Sequence, residues 1–110
     1  MIHTVIYVNG QNKYVGFRAC GHAGYAEEGE DIVCSAASVL MINTVNAVEL
    51  YTGMEASLTS DEESGMIDYR ITGELSREAE LLLKTMVLGL SEMTDDDNYA
   101  EYIDLTFEEV

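Results

Sequence analysis

Apolar and polar residues alternate from Ile2 to Asn9, with Ile2, Thr4, Ile6 and Val8 on one face and His3, Val5, Tyr7 and Asn9 on the other. A period of two with this β-branched content predicts a strand. Asn9-Gly10 predicts a tight hairpin turn, because both residue types tolerate φ > 0. A second strand, from about Lys13 to Cys20 with Val15, Phe17 and Ala19 on one face, then pairs antiparallel with the first. Residues 21–31 read Gly-His-Ala-Gly-Tyr-Ala-Glu-Glu-Gly-Glu-Asp and show no period. They predict a loop, whose part from Ala23 to Glu30 is expected to be mobile in the free protein and to close over a bound peptide, with Gly24 and Gly29 as hinges.

From Ile32 to about Tyr51 nearly every position is apolar, and the exceptions Ser35, Ser38, Asn43, Asn46 and Glu49 fall at helical intervals. The run predicts a largely buried helix covered on two sides, with a second chain as one source of that cover. Glu55–Ser60 and Gly65–Thr72 suggest a second hairpin. Ser76 then suits the N-cap of a helix from Arg77 to about Met93, with Glu78 and Glu80 in its first turn. Ala79, Leu82, Leu83, Met86, Leu90 and Met93 recur at spacings of three and four and form one core-facing stripe. Asp95-Asp96-Asp97-Asn98 ends that helix, and Tyr99–Val110 predicts a last strand with Ile103, Leu105 and Phe107 inward. The order β-β-α-β-β-α-β implies a two-layer α+β fold with a five-stranded sheet and two helices.

A length of 110 residues suits a single domain, 1–110, and an apolar share of 47% excludes a disordered chain. Charge narrows the partners: 21 acidic against 5 basic residues give a formal net charge of −16. Lys13, Arg18, Arg70, Arg77 and Lys84 are scattered, which argues against a nucleic-acid or anionic-membrane binder. A basic partner or peptide substrate is compatible with the charge, and so is a plain self-repelling surface. No stretch approaches the ~20 apolar residues of a membrane span by this reading. The N-terminus has no basic region leading into an apolar one. Two cysteines, Cys20 and Cys34, are too few for a disulfide framework. The expectation is a cytoplasmic protein with reduced thiols.

The chemistry concentrates in Gly21-His22 and Asp31-Ile32-Val33-Cys34. With Asp31 as N-cap, Cys34 falls in the first helical turn, where unpaired N–H groups favour a thiolate. His22, at the end of the second strand, can pair with that thiolate and later protonate a leaving amine. The bland alternative for Cys34 is a small buried hydrophobe. Glu27, Glu28, Glu30 and Asp31 oppose a thiolate unless they point away. Asp31 has three readings: helix cap, orienter of the imidazole, or anchor for a basic substrate residue. Ser38 lies one turn below Cys34 on the same helix face, available to the thiol, the imidazole, the substrate or its own helix backbone. Cys20, His22, Cys34 and Asp31 could also be offered to zinc, but their spacing fits no usual module. Asp95–Asn98 departs from a calcium loop at Tyr99 and Ala100. No P-loop and no Gly-x-Ser-x-Gly elbow occurs, so neither metal nor cofactor is implied.

The joined motif Gly21-His22-Ala23-Gly24-Tyr25 … Gly29-Glu30-Asp31-Ile32-Val33-Cys34-Ser35-Ala36-Ala37-Ser38 resembles the ribosomal-processing cysteine protease (Prp) family. The likeness extends over nearly the whole chain, through Val45-Asn46-Ala47 and the acidic C-terminal half. It implies a small α+β fold and a homodimer. It also implies removal of the N-terminal extension of bacterial large-subunit ribosomal protein twenty-seven, cut after an apolar, phenylalanine-rich motif. His22 and Cys34 match the family's catalytic pair; Gly21, Asp31 and Ser38 match its other motif positions. Two hypotheses follow: a cysteine endopeptidase, or a non-catalytic acidic module that holds a basic ribosomal protein. An intact His22 and Cys34 favour the first.

Overall fold

Each predicted element forms. In the computed structural model the described residues are 1–21 and 28–110, with side chains described for 1–21 and 32–110. The order is β1 (Ile2–Val8), β2 (Tyr14–Cys20), α1 (Glu28–Thr52), β3 (Ala56–Asp61), β4 (Met66–Ile71), α2 (Arg77–Asp95) and β5 (Ile103–Glu109). The five strands make one mixed sheet in the order β3-β4-β2-β1-β5. β1 runs antiparallel to β2 and parallel to β5, and β4 runs antiparallel to both β2 and β3.

Strand alternation decides where the core lies. Ile2, Ile6, Phe17, Ala19, Tyr69, Ile71 and Ile103 are buried on one sheet face and join a single cluster with Val33, Ala37, Met41 and Val48 of α1 and Leu83, Met86 and Leu90 of α2. Both helices therefore cover that face. The opposite face carries His3, Val5, Arg18, Arg70 and Asp104. Tyr7 is buried there beneath Arg70, whose guanidinium carbon lies 4.4 Å from the ring centroid, and its hydroxyl donates to Asp68 Oδ1 at 3.1 Å. Burial, followed by the Asp68 hydrogen bond, raises the Tyr7 pKa above the ordinary 10.0. β2 and β4 approach closely at Gly16, where a Cβ would stand 2.1 Å from the Tyr69 carbonyl oxygen. At α2 the Ser76 side chain accepts from the Ala79 N–H at 3.1 Å, as an N-cap should.

Several details differ from expectation. The first hairpin does not turn on Asn9-Gly10: its left-handed residue is Asn12, φ 62°. Asn9 instead folds its side-chain oxygen over the turn, accepting from the N–H groups of Gln11 and Lys13. An Asx-type turn thus replaces the two-residue one. Helix α1 begins at Glu28, inside the expected loop, so Asp31 lies within the helix and not at its cap. Acidic residue types suit a first helical turn. The remaining loop positions, 22–27, lie outside the described residues, and the lid expected over residues 23–30 lies mostly among them.

The expectation of a largely buried first helix holds on one side only. Ile32, Val39, Ile42, Leu50 and Tyr51 are more than half exposed, because the sheet and α2 reach only the other side. The reading that no stretch approaches a membrane span also fails: Ile32–Thr52 is long and apolar enough to cross one, with a mean hydropathy of 1.5. In this fold the same stretch packs Val33, Ala37, Met41 and Val48 into the core. At β5, Ile103 is inward as expected, but Phe107 is 54% exposed and stacks on Tyr14 with centroids 5.9 Å apart.

Candidate active site

Cys34 is half-buried on the core-facing side of α1. It opens onto a cavity of about 130 Å³ lined by Ile2, Ala19, Gly21, Cys34, Ala37, Ser38, Met41, Gly65 and Ile67. Four elements and two turns meet there. α1 supplies Cys34, Ala37, Ser38 and Met41, which share a face because their spacings are three and four. β1, β2 and β4 supply Ile2, Ala19 and Ile67, whose side chains point to the helix side of the sheet. The small residues Ala19 and Ala37 leave the cavity its room.

Gly21 closes β2 with φ +102°, and a Cβ there would stand 2.4 Å from the Met1 carbonyl oxygen. Only glycine suits that backbone. It sets the exit angle of the chain immediately before His22, which itself lies outside the described residues. Three sequence-predicted positions, Gly21, Cys34 and Ser38, are therefore brought to one cavity. Asp31 lies in α1, one turn before Cys34.

One correction changes the chemistry. Cys34 is the seventh residue of α1, not part of its first turn. The dipole and unpaired N–H groups act mainly within that first turn, so the helix terminus does not account for a nucleophilic Cys34. Zinc, already disfavoured by the spacing, loses Cys20 as a candidate ligand. Cys20 pairs with His3 across β1–β2 and so projects from the sheet face opposite Ala19 and the Cys34 cavity. Among the described residues no three His, Cys, Asp or Glu side chains gather as a metal site. His3 is exposed and bonded through Nδ1 to Asp104 Oδ2 at 2.6 Å. Its partner is its direct neighbour in the parallel β1–β5 ladder.

Sequence reasoning missed Ile2, Ala19, Met41, Gly65 and Ile67 as cavity walls. Met41 had a signal, seven residues after Cys34 on the same face. The strand residues had none before the register was known.

The sequence model of the family "Cysteine protease Prp" matches residues 1–104. The chain belongs to the Prp family. It is a cysteine protease. Ribosomal processing cysteine protease Prp of Staphylococcus aureus is 34% identical over 107 residues, 97% of this chain and 99% of that protein. The crystal structure of the S. aureus Prp in complex with a substrate peptide superposes with a TM-score of 0.89 at 31% identity, covering 98% of this chain and 100% of that one. A second S. aureus Prp structure, with a covalently linked product peptide, superposes at 0.85 with 32% identity, covering 98% and 100%. The Prp fold is thus the mixed five-stranded sheet with two helices described above.

Proposed function

We propose that this protein removes the N-terminal extension of bacterial large-subunit ribosomal protein twenty-seven, cutting after an apolar, phenylalanine-rich motif. The observation that carries this reading is the opening of Cys34 onto a cavity shared with Gly21 and Ser38, in a chain that matches Prp from residue 1 to 104. The walls of that cavity are mainly apolar, and its volume suits one apolar side chain next to the scissile bond. In this mechanism the Cys34 thiolate attacks the scissile carbonyl carbon. The His22 imidazolium gives its proton to the leaving amine, and a thioester forms on Cys34. Neutral His22 then takes a proton from water, whose hydroxide attacks the thioester. The carboxylic acid leaves and the thiolate–imidazolium pair returns. Ser38 and Asp31 position these groups or the substrate.

The protein acts as one domain, in the cytoplasm, as a homodimer. The support for the dimer is the exposed stripe of α1 that includes Ile32, Ala36, Val39 and Leu50. Mass spectrometry of the precursor ribosomal protein tests the reading. The unaltered protein releases one N-terminal fragment. Cys34→Ala and His22→Ala lose at least about a hundredfold in rate, in line with removal of a nucleophile or its proton partner. Cleavage at the normal rate by Cys34→Ala refutes it.

A further inference from the structure

Helix α2 buries Ala79, Leu83, Met86, Val87 and Leu90 in the core. Leu81 and Leu88 lie on its opposite side and are 64% and 60% exposed. At about 100° per residue, Arg77, Leu81, Lys84 and Leu88 fall within roughly 60° of arc there, cation and leucine alternating over about 16 Å of helix. Beside this stripe is a depression of about 440 Å³ walled by Tyr14, Leu81, Val87 and Leu88, with Lys84 the only charged residue of its lining among the described residues. Tyr14 continues the apolar surface to Phe107, stacked on it and 54% exposed. Leu81 and Lys84 also wall a second depression, of about 320 Å³, with Arg77, Glu78 and Glu80. Glu80 Oε2 there is 3.9 Å from Lys13 Nζ. Lys13, Arg77 and Lys84, three of the five basic residues, therefore lie on this side of the molecule. Arg77 and Lys84 have no ion-pair partner among the described residues, although the chain holds 21 acids.

We propose that this outer face of α2 docks an acidic amphipathic helix of another protein. The partner's apolar residues rest on Leu81, Leu88 and Tyr14, and its carboxylates meet Lys84 and Arg77. Contiguous exposed apolar surface with a polar rim is the mark of a contact site. Spacing sets the form of the partner. Leu81 and Leu88 are seven residues apart, about 10.5 Å along the axis, which matches positions i and i+7 of a second helix laid alongside. Charge sets its sign. A basic helix would leave two cations facing cations, whereas an acidic one pairs both. The net charge of −16 does not repel such a partner at contact, because salt screens charges beyond about 8 Å and the local sign governs. Past Leu88 the outward stripe turns to Glu92 and Asp95, which bounds the site at that end. None of the docking residues walls the Cys34 cavity, so a docked partner leaves that cavity open to peptide.

The probe is a synthetic acetylated peptide of three Leu-Glu-Glu-Leu-Ala-Glu-Ala repeats. One control carries Lys for every Glu, the other Ser for every Leu. Titrated into the ¹⁵N-labelled protein at physiological salt, the acidic peptide shifts the amide signals of Tyr14 and of residues 77–91 and leaves those of Gly21 and Ser38 in place. It binds at least about tenfold tighter than either control. Leu88→Ser weakens it about tenfold or more, as suits the loss of one buried leucine. Arg77→Glu with Lys84→Glu weakens it about tenfold and makes the basic peptide the tighter one. That variant folds, because position 77 is in the first turn of α2, where glutamate is favourable, and Lys84 is exposed. Equal affinity for the acidic and basic peptides overturns the proposal, as do shifts confined to another surface. Two further results overturn it by naming a different occupant. Binding of phosphatidylserine vesicles, abolished by Leu88→Ser, with no binding of the acidic peptide assigns the face to a membrane. Self-association lost in Leu88→Ser, again without peptide binding, assigns it to a second copy of this chain.

Discussion

Ala37→Val separates stability from catalysis in this site. Ala37 is 1% exposed, sits three residues after Cys34, and walls the cavity of about 130 Å³ that Cys34 faces. The cavity has room for two added methyl groups. Full burial of each contributes about 0.8 kcal/mol, and valine costs up to about 0.7 kcal/mol in a helix relative to alanine. The net is a gain of up to about 1 kcal/mol, or roughly 4 °C in Tm for a domain of this size. The same methyl groups occupy the space proposed for the substrate side chain at the scissile bond. Loss of that burial, about 1.5–3 kcal/mol for an aromatic residue, lowers kcat/KM by about ten- to 150-fold on a peptide with Phe at that position. A peptide with Ala there loses far less. Thermal unfolding and quenched-fluorescence cleavage of the two peptides give both readouts. A destabilisation of more than about 1 kcal/mol would show that the walls lack the room. A stabilised variant with unchanged kcat/KM on the Phe peptide would show that the substrate does not use the cavity.

Thr4 is fully buried, and its Oγ1 has no hydrogen-bond partner among the described residues. Thr4→Val keeps the shape and removes the stranded hydroxyl, so the unfolding free energy should rise by about 1 kcal/mol, read as a higher urea midpoint at unchanged m. Burial raises the pKa of Tyr7, with help from Asp68, and of Tyr69, with help from Glu49, above the ordinary 10.0. The unfolded chain then ionises first, so their contribution to stability is complete below pH 10 and is lost as pH rises through their folded values. Near-ultraviolet titration should show tyrosines ionising late, and Tyr7→Phe should remove one of them. Val39 is 66% exposed on α1, away from the Cys34 cavity. Val39→Glu should give a monomer in sedimentation and leave iodoacetamide labelling of Cys34 unchanged; a persistent dimer refutes the proposed interface.

The elements were legible in the sequence because each carries its own period and its own stop. Ile2–Val8 alternates cleanly, and Ser76 caps α2 where the apolar stripe begins. What was hidden depended on interactions away from the residue concerned. Asn9-Gly10 looks like a two-residue turn until the Asn9 side chain is seen bonding Gln11 and Lys13. The start of α1 was misplaced by four residues because Gly29 and the neighbouring acids break hydrophobic periodicity without breaking a helix. The parallel pairing of β1 with β5 joins residues about a hundred apart, and no local pattern encodes it. For the site, the motif pointed to Cys34, Gly21 and Ser38 together, whereas Ile2, Ala19 and Ile67 became neighbours of Cys34 only through strand register.

The near-uniform apolar character of α1 has a reason in this geometry. At about 100° per residue, Val33, Ala37, Met41 and Val48 point into the core. Cys34 and Ser38 turn toward the cavity, and Ile42 toward the depression between α1 and the β3–β4 hairpin. Ile32, Ala36, Val39, Asn43, Asn46 and Leu50 lie within roughly 80° of arc on the open side. One helix thus serves a core, the Cys34 cavity and an exposed stripe, and the residues it gives to each are mainly apolar. An ordinary amphipathic helix has a solvated polar face that absorbs charge; α1 has almost none between Ile32 and Val48. The acidic excess is carried instead by the run Glu27–Asp31 before that stretch, by the hairpin turn at Asp61–Glu63, by α2 and its C-terminal end, and by β5. That distribution leaves the cavity beside Cys34 without a charged side chain in its walls.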